Sequence, residues 1–382
     1  MIEGHEIICF AGNDWWYRNP GSSNHLMTYL AKHNKVIYIN SIAMGISVQW
    51  NRDFLQRAKG KVRSHLKWIK RINKQLVVMS PITLPIYRFT IIQKLNRLLL
   101  SLQIKYCMKL FHIVKPILWI SIPTAQIITD IPKEILVYHV HDKHIAQKGI
   151  PKDVIKRLHA KLLQASDIVL YSSYKYYGES RGNSSNAYFL DHGVDYQHFS
   201  RAMDKNLEIP DDIAGIKRPI VGYFGIGHED WELVRYLVAE RPNWSFVFIG
   251  QSQNVKSELK SMSNLFFLGK KMYSEIPHYA KAFDVCILPY KIDEWVEYSN
   301  PIKLKEYLST GKPVVSISFP AVERYKDVVY CARSREEFLS LLDKSIYEDT
   351  KEEQQKRINA VKNETWDKIV EQLSDLLVSH IR

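Results

Sequence analysis

VCILPYKIDEWVEYSNPIKLKEYLSTGKPVVSIS, residues 285–318, reads as strand, connector, helix and strand. "VCILPY" and "PVVSIS" are short apolar runs of the kind that form strands buried on both faces. Between them Asn300 suits a helix N-cap and Pro301 the first helical position, and "IKLKEYL" supplies strong helix formers. Leu304, Tyr307 and Leu308 then share one side, as a helix packed on a sheet requires.

The same alternation extends in both directions. "PIVGYFG" (219–225), "SFVFIG" (245–250), "NLFFLGK" (264–270) and "VVYCA" (328–332) complete the strands of the second half, with "DWELVRYLVAE" and "IPHYAKAF" as helices between them. In the first half, "EIICFAG", "KVIYINS", "LVVMSP", "ILWISI", "EILVYHV", "DIVLYSS" and "AYFLDHG" are strands, and a long helical pattern from Tyr87 to Val114 separates the third from the fourth. Repeated strand–helix–strand units predict two doubly wound α/β domains with parallel sheets and a cleft between them, ligands sitting at the carboxyl ends of the strands. "GVDYQHFSRAMDKNLEIPDDIAG" (193–215) is polar, reads as irregular and marks the boundary. The expected division is 1–200, 201–364 and a terminal helix, 365–382. That helix aligns Trp366, Ile369, Val370, Leu373, Leu376 and Leu377, a face that needs a partner.

Across 382 residues, 46% hydrophobic and 24% charged, the composition is that of a globular chain long enough for two cores. Cys9, Cys107, Cys286 and Cys331 show no metal or disulfide spacing, which fits reduced thiols in a cytosol. "MIEGHEIICFAGND" reads as a first strand rather than a signal peptide, and no run is long enough for a membrane span. The net charge of +13 is concentrated: residues 51–115 hold 15 Lys and Arg against the single acid Asp53. Within "NRDFLQRAKGKVRSHLKWIKRINKQ", Val62, Leu66 and Ile69 fall at helical spacing beside Trp68. A basic amphipathic element with an aromatic anchor fits an anionic membrane surface; a nucleic-acid surface and a merely solvated face are the alternatives. No nucleic-acid motif accompanies the charge, so no nucleic-acid partner is expected.

Lys303 falls in the first turn of its helix, where the dipole disfavours a cation by up to about 1 kcal/mol. An anion bound at the helix start reverses that sign. Glu306, one turn on, can accept hydrogen bonds from ribose hydroxyls, although a surface ion pair between the two has the same spacing. Asp142, in "VYHVHDKH", follows a strand directly and suits a general base, a helix N-cap or, with His139, His141 and His144, a hint of metal. Gly225 and Gly227 in "FGIGHED" allow backbone amides to approach a phosphate or simply make a tight turn. Tyr290 suits stacking against a ligand or core packing. No D-x-D pair is present to grip a metal-bound nucleotide sugar.

"HGVD" (192–195), "NPIKLKEYLSTGKPVV", the terminal "TWDKI" helix and the opening "FAGNDWWYRNPGSSNHLMTYLAKHNKVIYIN" together resemble GT-B glycosyltransferases, especially those of bacterial exopolysaccharide and teichuronic-acid assembly. The likeness runs over essentially the whole chain, with 45–115 matching only as a pattern. It implies an acceptor-binding, membrane-facing first domain, a nucleotide-sugar-binding second domain and a C-terminal helix that crosses back. It further implies that Lys303 neutralises the donor diphosphate, that Glu306 holds the ribose, that Asp142 is the general base, and that Tyr290 lines the donor site; Gly225, Gly227 and Asn300 are expected to join the donor site on their own reading, as a turn open to a phosphate and as the start of the Lys303 helix. The expected donor is a UDP-sugar and the acceptor a lipid-linked saccharide, handled at the inner membrane face without metal or other cofactor. Two departures stand out. The first glutamate of the retaining E-x7-E motif is replaced by Tyr298, with Glu297 one place off, and no Arg or Lys follows the first strand of the second domain in "FGIGHEDWELV". Both favour inversion, which requires a base. A sugar-nucleotide epimerase of the same fold and a non-catalytic polyanion binder remain as alternatives.

Overall fold

The computed structural model describes residues 2–16, 19–42, 68–84, 89–146, 150–252 and 255–381. Among them the chain divides into two compact units, residues 1–191 with 369–382, and residues 192–368.

The first unit is built on an eight-stranded sheet. Its strands are β1 (Glu6–Phe10), β2 (Lys35–Ile39), β3 (Ile69–Arg71), β4 (Leu76–Met79), β5 (Ile117–Ile120), β6 (Leu136–Val140), β7 (Ile168–Tyr171) and β8 (Ala187–Phe189), in the order β3-β4-β2-β1-β5-β6-β7-β8. All seven strands anticipated from the apolar runs are present and mutually parallel. The addition is β3, which pairs antiparallel with β4 through Ile69 opposite Met79. Ile69 is thus an edge-strand residue and not the third member of a helical stripe; edge pairing satisfies the outer hydrogen bonds of β4. The other two members, Val62 and Leu66, lie outside the described residues. Phe10, Ile37, Leu118 and Tyr138 from the strands pack with Leu100, Ile104 and Cys107 from the Thr90–Leu110 helix. The terminal helix, Trp366–His380, joins this unit from residue 369 onward and buries Ile369, Val370, Leu373 and Leu377, the apolar face read from its spacing.

The second unit carries β9 (Ile220–Phe224), β10 (Ser245–Ile249), β11 (Leu265–Gly269), β12 (Val285–Leu288), β13 (Val314–Ile317) and β14 (Tyr330–Ala332), all parallel, in the order β11-β10-β9-β12-β13-β14. Its boundaries differ slightly from those expected. Residues 192–200 belong here because Val194 bridges to Thr365, and Val194, Phe199 and Ala202 enter the second core. The stretch that reads as irregular holds the helices Tyr196–Ser200 and Asp211–Ala214. Gly193 is required at this junction: a Cβ there would lie 2.7 Å from the Trp366 backbone. The "HGVD" and "TWDKI" motifs are therefore one packed feature. All four cysteines are free thiols, and burial pushes that of Cys107 up to about 11.

Candidate active site

In the second unit the loops after β9 and β12 are zipped together. Glu229 and Tyr290 form an antiparallel bridge, the Asp230 amide donates to the Pro289 carbonyl (2.7 Å), and the Lys291 amide donates to that of His228 (2.9 Å). Gly225 begins the first loop with φ +82°, a left-handed conformation that glycine adopts without a Cβ clash. A Cβ there would lie 3.2 Å from the Lys303 ammonium, so the bare backbone leaves room for that side chain.

Lys303 is the second residue of the Ile302–Ser309 helix. Pro301 is its N-cap, with extended backbone, so the helix starts one residue later than expected and Asn300 lies buried just before it. Leu304, Tyr307 and Leu308 face the core as their spacing requires, and the Tyr307 hydroxyl accepts from the Phe224 amide at the end of β9 (3.0 Å). The Lys303 Nζ donates to the Gly225 carbonyl (2.6 Å) and the Tyr223 hydroxyl (2.8 Å), and it sits 4.1 and 5.4 Å from the ring centroids of Tyr223 and Tyr290. Those bonds turn the ammonium toward the carboxyl end of β9 and not along the helix surface to Glu306. Tyr290 is buried, its ring 5.8 Å from that of Phe319, and it forms part of the floor beneath the ammonium.

Glu229, which sequence reasoning passed over, organises this loop. Its Oε1 accepts from the Tyr223 hydroxyl (2.6 Å), the Gly227 amide (2.6 Å) and the His228 amide (3.2 Å). The Gly227 amide is therefore engaged by a carboxylate of the chain itself. The turn is an anion-binding nest already holding an anion, linked through Tyr223 to Lys303.

Burial pushes the Lys303 ammonium down to about 8, an effect partly offset by the carboxylates of Glu229 and Glu306. Burial likewise raises Glu306 to about 7; Lys303 opposes that rise and Asp195 adds to it. Close to neutral pH the site thus holds a half-buried ammonium whose pKa is lowered and, one turn on, a carboxyl whose pKa is raised. Such a cation gains stabilisation from a multivalent anion more than a solvated lysine would.

The far side of the same helix is fixed differently. Lys305 is buried, donates to the His192 carbonyl (2.6 Å) and pairs with Glu364 (2.9 Å). Glu364 also accepts from the Tyr325 hydroxyl (2.6 Å), so the helix is anchored to both "HGVD" and the start of the terminal helix.

In the first unit Asp142 follows β6, just ahead of a short 3-10 turn, His144–Ala146. Burial raises its carboxyl to about 6. Burial lowers His144 to about 4, helped by His159 and opposed by a hydrogen bond with the Ser121 backbone. His139 and His141 are tied into serine contacts instead: His139 Nε2 lies 2.9 Å from Ser172 Oγ, and His141 Nε2 lies 3.3 Å from Ser23 Oγ. Among the described residues no group of three or more His, Cys, Asp or Glu is gathered as a metal site needs. Asp142 belongs to one unit; Gly225, Gly227, Tyr290, Asn300, Lys303 and Glu306 belong to the other.

Comparison with known proteins bears on what these groups serve. Residues 228–342, which include the Glu229–Tyr290 bridge and the Lys303 helix, match the family described as glycosyl transferases group 1. TuaH of Bacillus subtilis (strain 168), whose name assigns it to teichuronic acid biosynthesis as a glycosyltransferase, is 27% identical over 193 residues. The match spans 47% of this chain and 47% of TuaH, about half of each protein. The structure of Anabaena HepE in complex with UDP and glucose superimposes with a TM-score of 0.67 at 14% identity, covering 99% of this chain and all of that one. Sucrose-phosphate synthase from Thermosynechococcus elongatus gives 0.68 at 12% identity, covering 99% of each. The fold is accordingly that of the GT-B glycosyltransferases.

Proposed function

We propose that the protein is a glycosyltransferase of polysaccharide biosynthesis that moves a sugar from a UDP-sugar to a lipid-linked saccharide, working peripherally at the inner face of the cell membrane. The observation that carries this reading is the half-buried Lys303 ammonium, held over the turn after β9 by the Gly225 carbonyl and the Tyr223 hydroxyl. The donor diphosphate sits against Lys303 and the first turn of the 302–309 helix. Glu306, one turn further, accepts from the ribose hydroxyls.

In the transfer step the acceptor hydroxyl oxygen bonds to the anomeric carbon as the bond from that carbon to the diphosphate oxygen breaks. The electron pair leaves with UDP, whose growing charge Lys303 stabilises, and the hydroxyl proton passes to Asp142. Attack opposite the leaving group inverts the anomeric centre, consistent with Tyr298 in place of the glutamate of the retaining motif. A cation aimed at the leaving group is worth roughly 10²–10³ in rate, and a positioned base roughly 10²–10⁴.

Thermal-shift measurements against UDP-, GDP- and dTDP-sugars, followed by transfer assays on lipid-linked saccharides from each responsive donor, test the reading. A UDP-sugar that stabilises the protein and is consumed only when acceptor is present supports it. Conversion of a UDP-sugar without acceptor would replace it with the epimerase reading, and no response to any nucleotide sugar would refute it.

A further inference from the structure

The Thr90–Leu110 helix has two apolar faces, and only one is buried. Leu100, Ile104 and Cys107 enter the core of the first unit. About half a turn round the axis, Ile91, Leu95, Leu98, Leu102 and Tyr106 recur at spacings of three and four and are all exposed, Ile91 by 75% and Leu98 and Leu102 by nearly 60%. At 1.5 Å per residue this stripe is about 22 Å long. Isolated exposed leucines need no explanation, whereas a continuous row does.

A second element runs along the helix edge between its buried face and the row. Gln103 brackets Ile82, accepting from its amide (2.8 Å) and donating to its carbonyl (2.9 Å). Asn96, one heptad earlier, brackets Leu84 in the same way, with both bonds 2.8 Å. These side-chain amides lay an extended segment along the helix, and its Ile82 and Leu84 side chains are exposed as well. At the far end of the row, Trp68 stacks on Tyr106 at 5.7 Å. The apolar surface is therefore a built platform, fixed by paired hydrogen bonds.

Charge identifies what covers it. Lys94 and Lys105 lie along one flank of the row and Lys109 continues it, all three exposed, while the neighbouring Arg97 is paired with Asp130. No Asp or Glu occurs between residues 54 and 115. An apolar strip edged by lysines, in a stretch of chain with no acid of its own, is complementary to a bilayer interface carrying anionic headgroups, with side chains entering the acyl boundary and ammonium groups meeting phosphates. The helix cannot span: its other face is committed to the core, and no helix among the described residues is long and apolar enough to cross a membrane.

We infer that the 90–110 helix, with Ile82 and Leu84 beside it, is the surface that lies in the interface of an anionic bilayer. This narrows the membrane contact to one helix within the basic block 51–115 and deepens the lipid-linked-acceptor reading, on which it rests.

The test uses the full chain and the triple variant Ile91→Ser, Leu98→Ser, Leu102→Ser. These positions are exposed, so thermal unfolding and the UDP-induced shift should match wild type. Co-sedimentation with phosphatidylglycerol-containing vesicles, against neutral phosphatidylcholine vesicles, should show wild-type binding that weakens in high salt. The triple variant should partition at least roughly tenfold less. Lys94→Gln with Lys105→Gln should reduce the salt dependence while leaving a residual apolar contribution. Unchanged vesicle binding by the triple variant would place the contact elsewhere on the chain and overturn the inference. So would wild type that ignores vesicles, or a dimer in light scattering that the triple variant disperses, which would make a second copy the occupant. Failure of vesicle binding with an intact UDP shift sinks this inference alone; vesicle binding without a UDP response sinks the transferase reading alone.

Discussion

Lys303→Met separates the cost of the ammonium in the empty protein from its benefit to the ligand. In the folded state the ammonium is lowered from 10.5 to about 8 by burial. At 1.36 kcal/mol per unit that displacement bounds the penalty at about 3 kcal/mol, and partial solvent access reduces it to ~1–2 kcal/mol. The folded value lies below the unfolded one, so the unfolded state binds more protons between pH 8 and 10.5 and wild-type stability rises with pH across that window. Methionine keeps the apolar length without the charge. The variant should therefore match or exceed wild type by ~1 kcal/mol in chemical denaturation at pH 7, the gap closing as pH approaches 10.5. UDP binding should move oppositely. Losing a charge-assisted contact to a diphosphate weakens affinity roughly 10–100-fold. In wild type, bound UDP holds the lysine protonated, so affinity should fall about 30-fold between pH 7 and 9.5, and the variant should lack that alkaline limb. Calorimetry at several pH values, beside the denaturation series, reads both effects. A variant that binds UDP with wild-type affinity and the same pH profile would refute the phosphate role of Lys303.

Glu229→Gln keeps an acceptor for Tyr223 and the loop amides but removes the charge that supports the ammonium, so Lys303 should drop below about 8 and the alkaline limb of UDP affinity should shift to lower pH. Asp142→Asn should leave the UDP thermal shift intact and reduce turnover by roughly 10²–10⁴. In wild type, kcat/KM should climb about tenfold per pH unit toward an inflection near 6, because the base works ionised and burial raises it to that value. Gly193→Ala puts a Cβ 2.7 Å from the Trp366 backbone and should lower stability by about 2–4 kcal/mol in chemical denaturation. Lys305→Met leaves Glu364 and the His192 carbonyl without their buried partner and should destabilise by about 2–4 kcal/mol.

The fold was legible because strands buried on both faces have no polar side to interrupt them. "PIVGYFG" and "PVVSIS" stand out as runs for the same reason that β9 and β13 are buried within a parallel sheet. β3 gave no such signal. It has three residues, two of them charged and exposed, and its pairing depends on the sheet edge it meets. The exposed row on the 90–110 helix was hidden by its own symmetry, since a helix apolar on two faces shows no single stripe.

The limit is sharpest at the site itself. Lys303 was conspicuous because it breaks a local electrostatic preference, and local preferences can be read from a few residues. In "HED" the final Asp230 is an ordinary N-cap, accepting from the Glu232 amide (3.0 Å), and nothing in composition separates its neighbour Glu229 from a solvated acid. Glu229 acquires its role only when the chain folds back through Gly225 and brings its carboxylate to the amides of 227 and 228 and to Tyr223 on β9. Lys305 is hidden likewise: two residues from Lys303, it points about 200° away round the helix, toward a carboxylate 59 positions further along the chain. The residues that show in the sequence are thus those the proposal sets against the ligand. Those that hold them in place act through partners that only the tertiary structure brings near. It follows that Glu229 and Lys305 should alter the pH dependence of binding and the stability, respectively, without either side chain having to touch UDP.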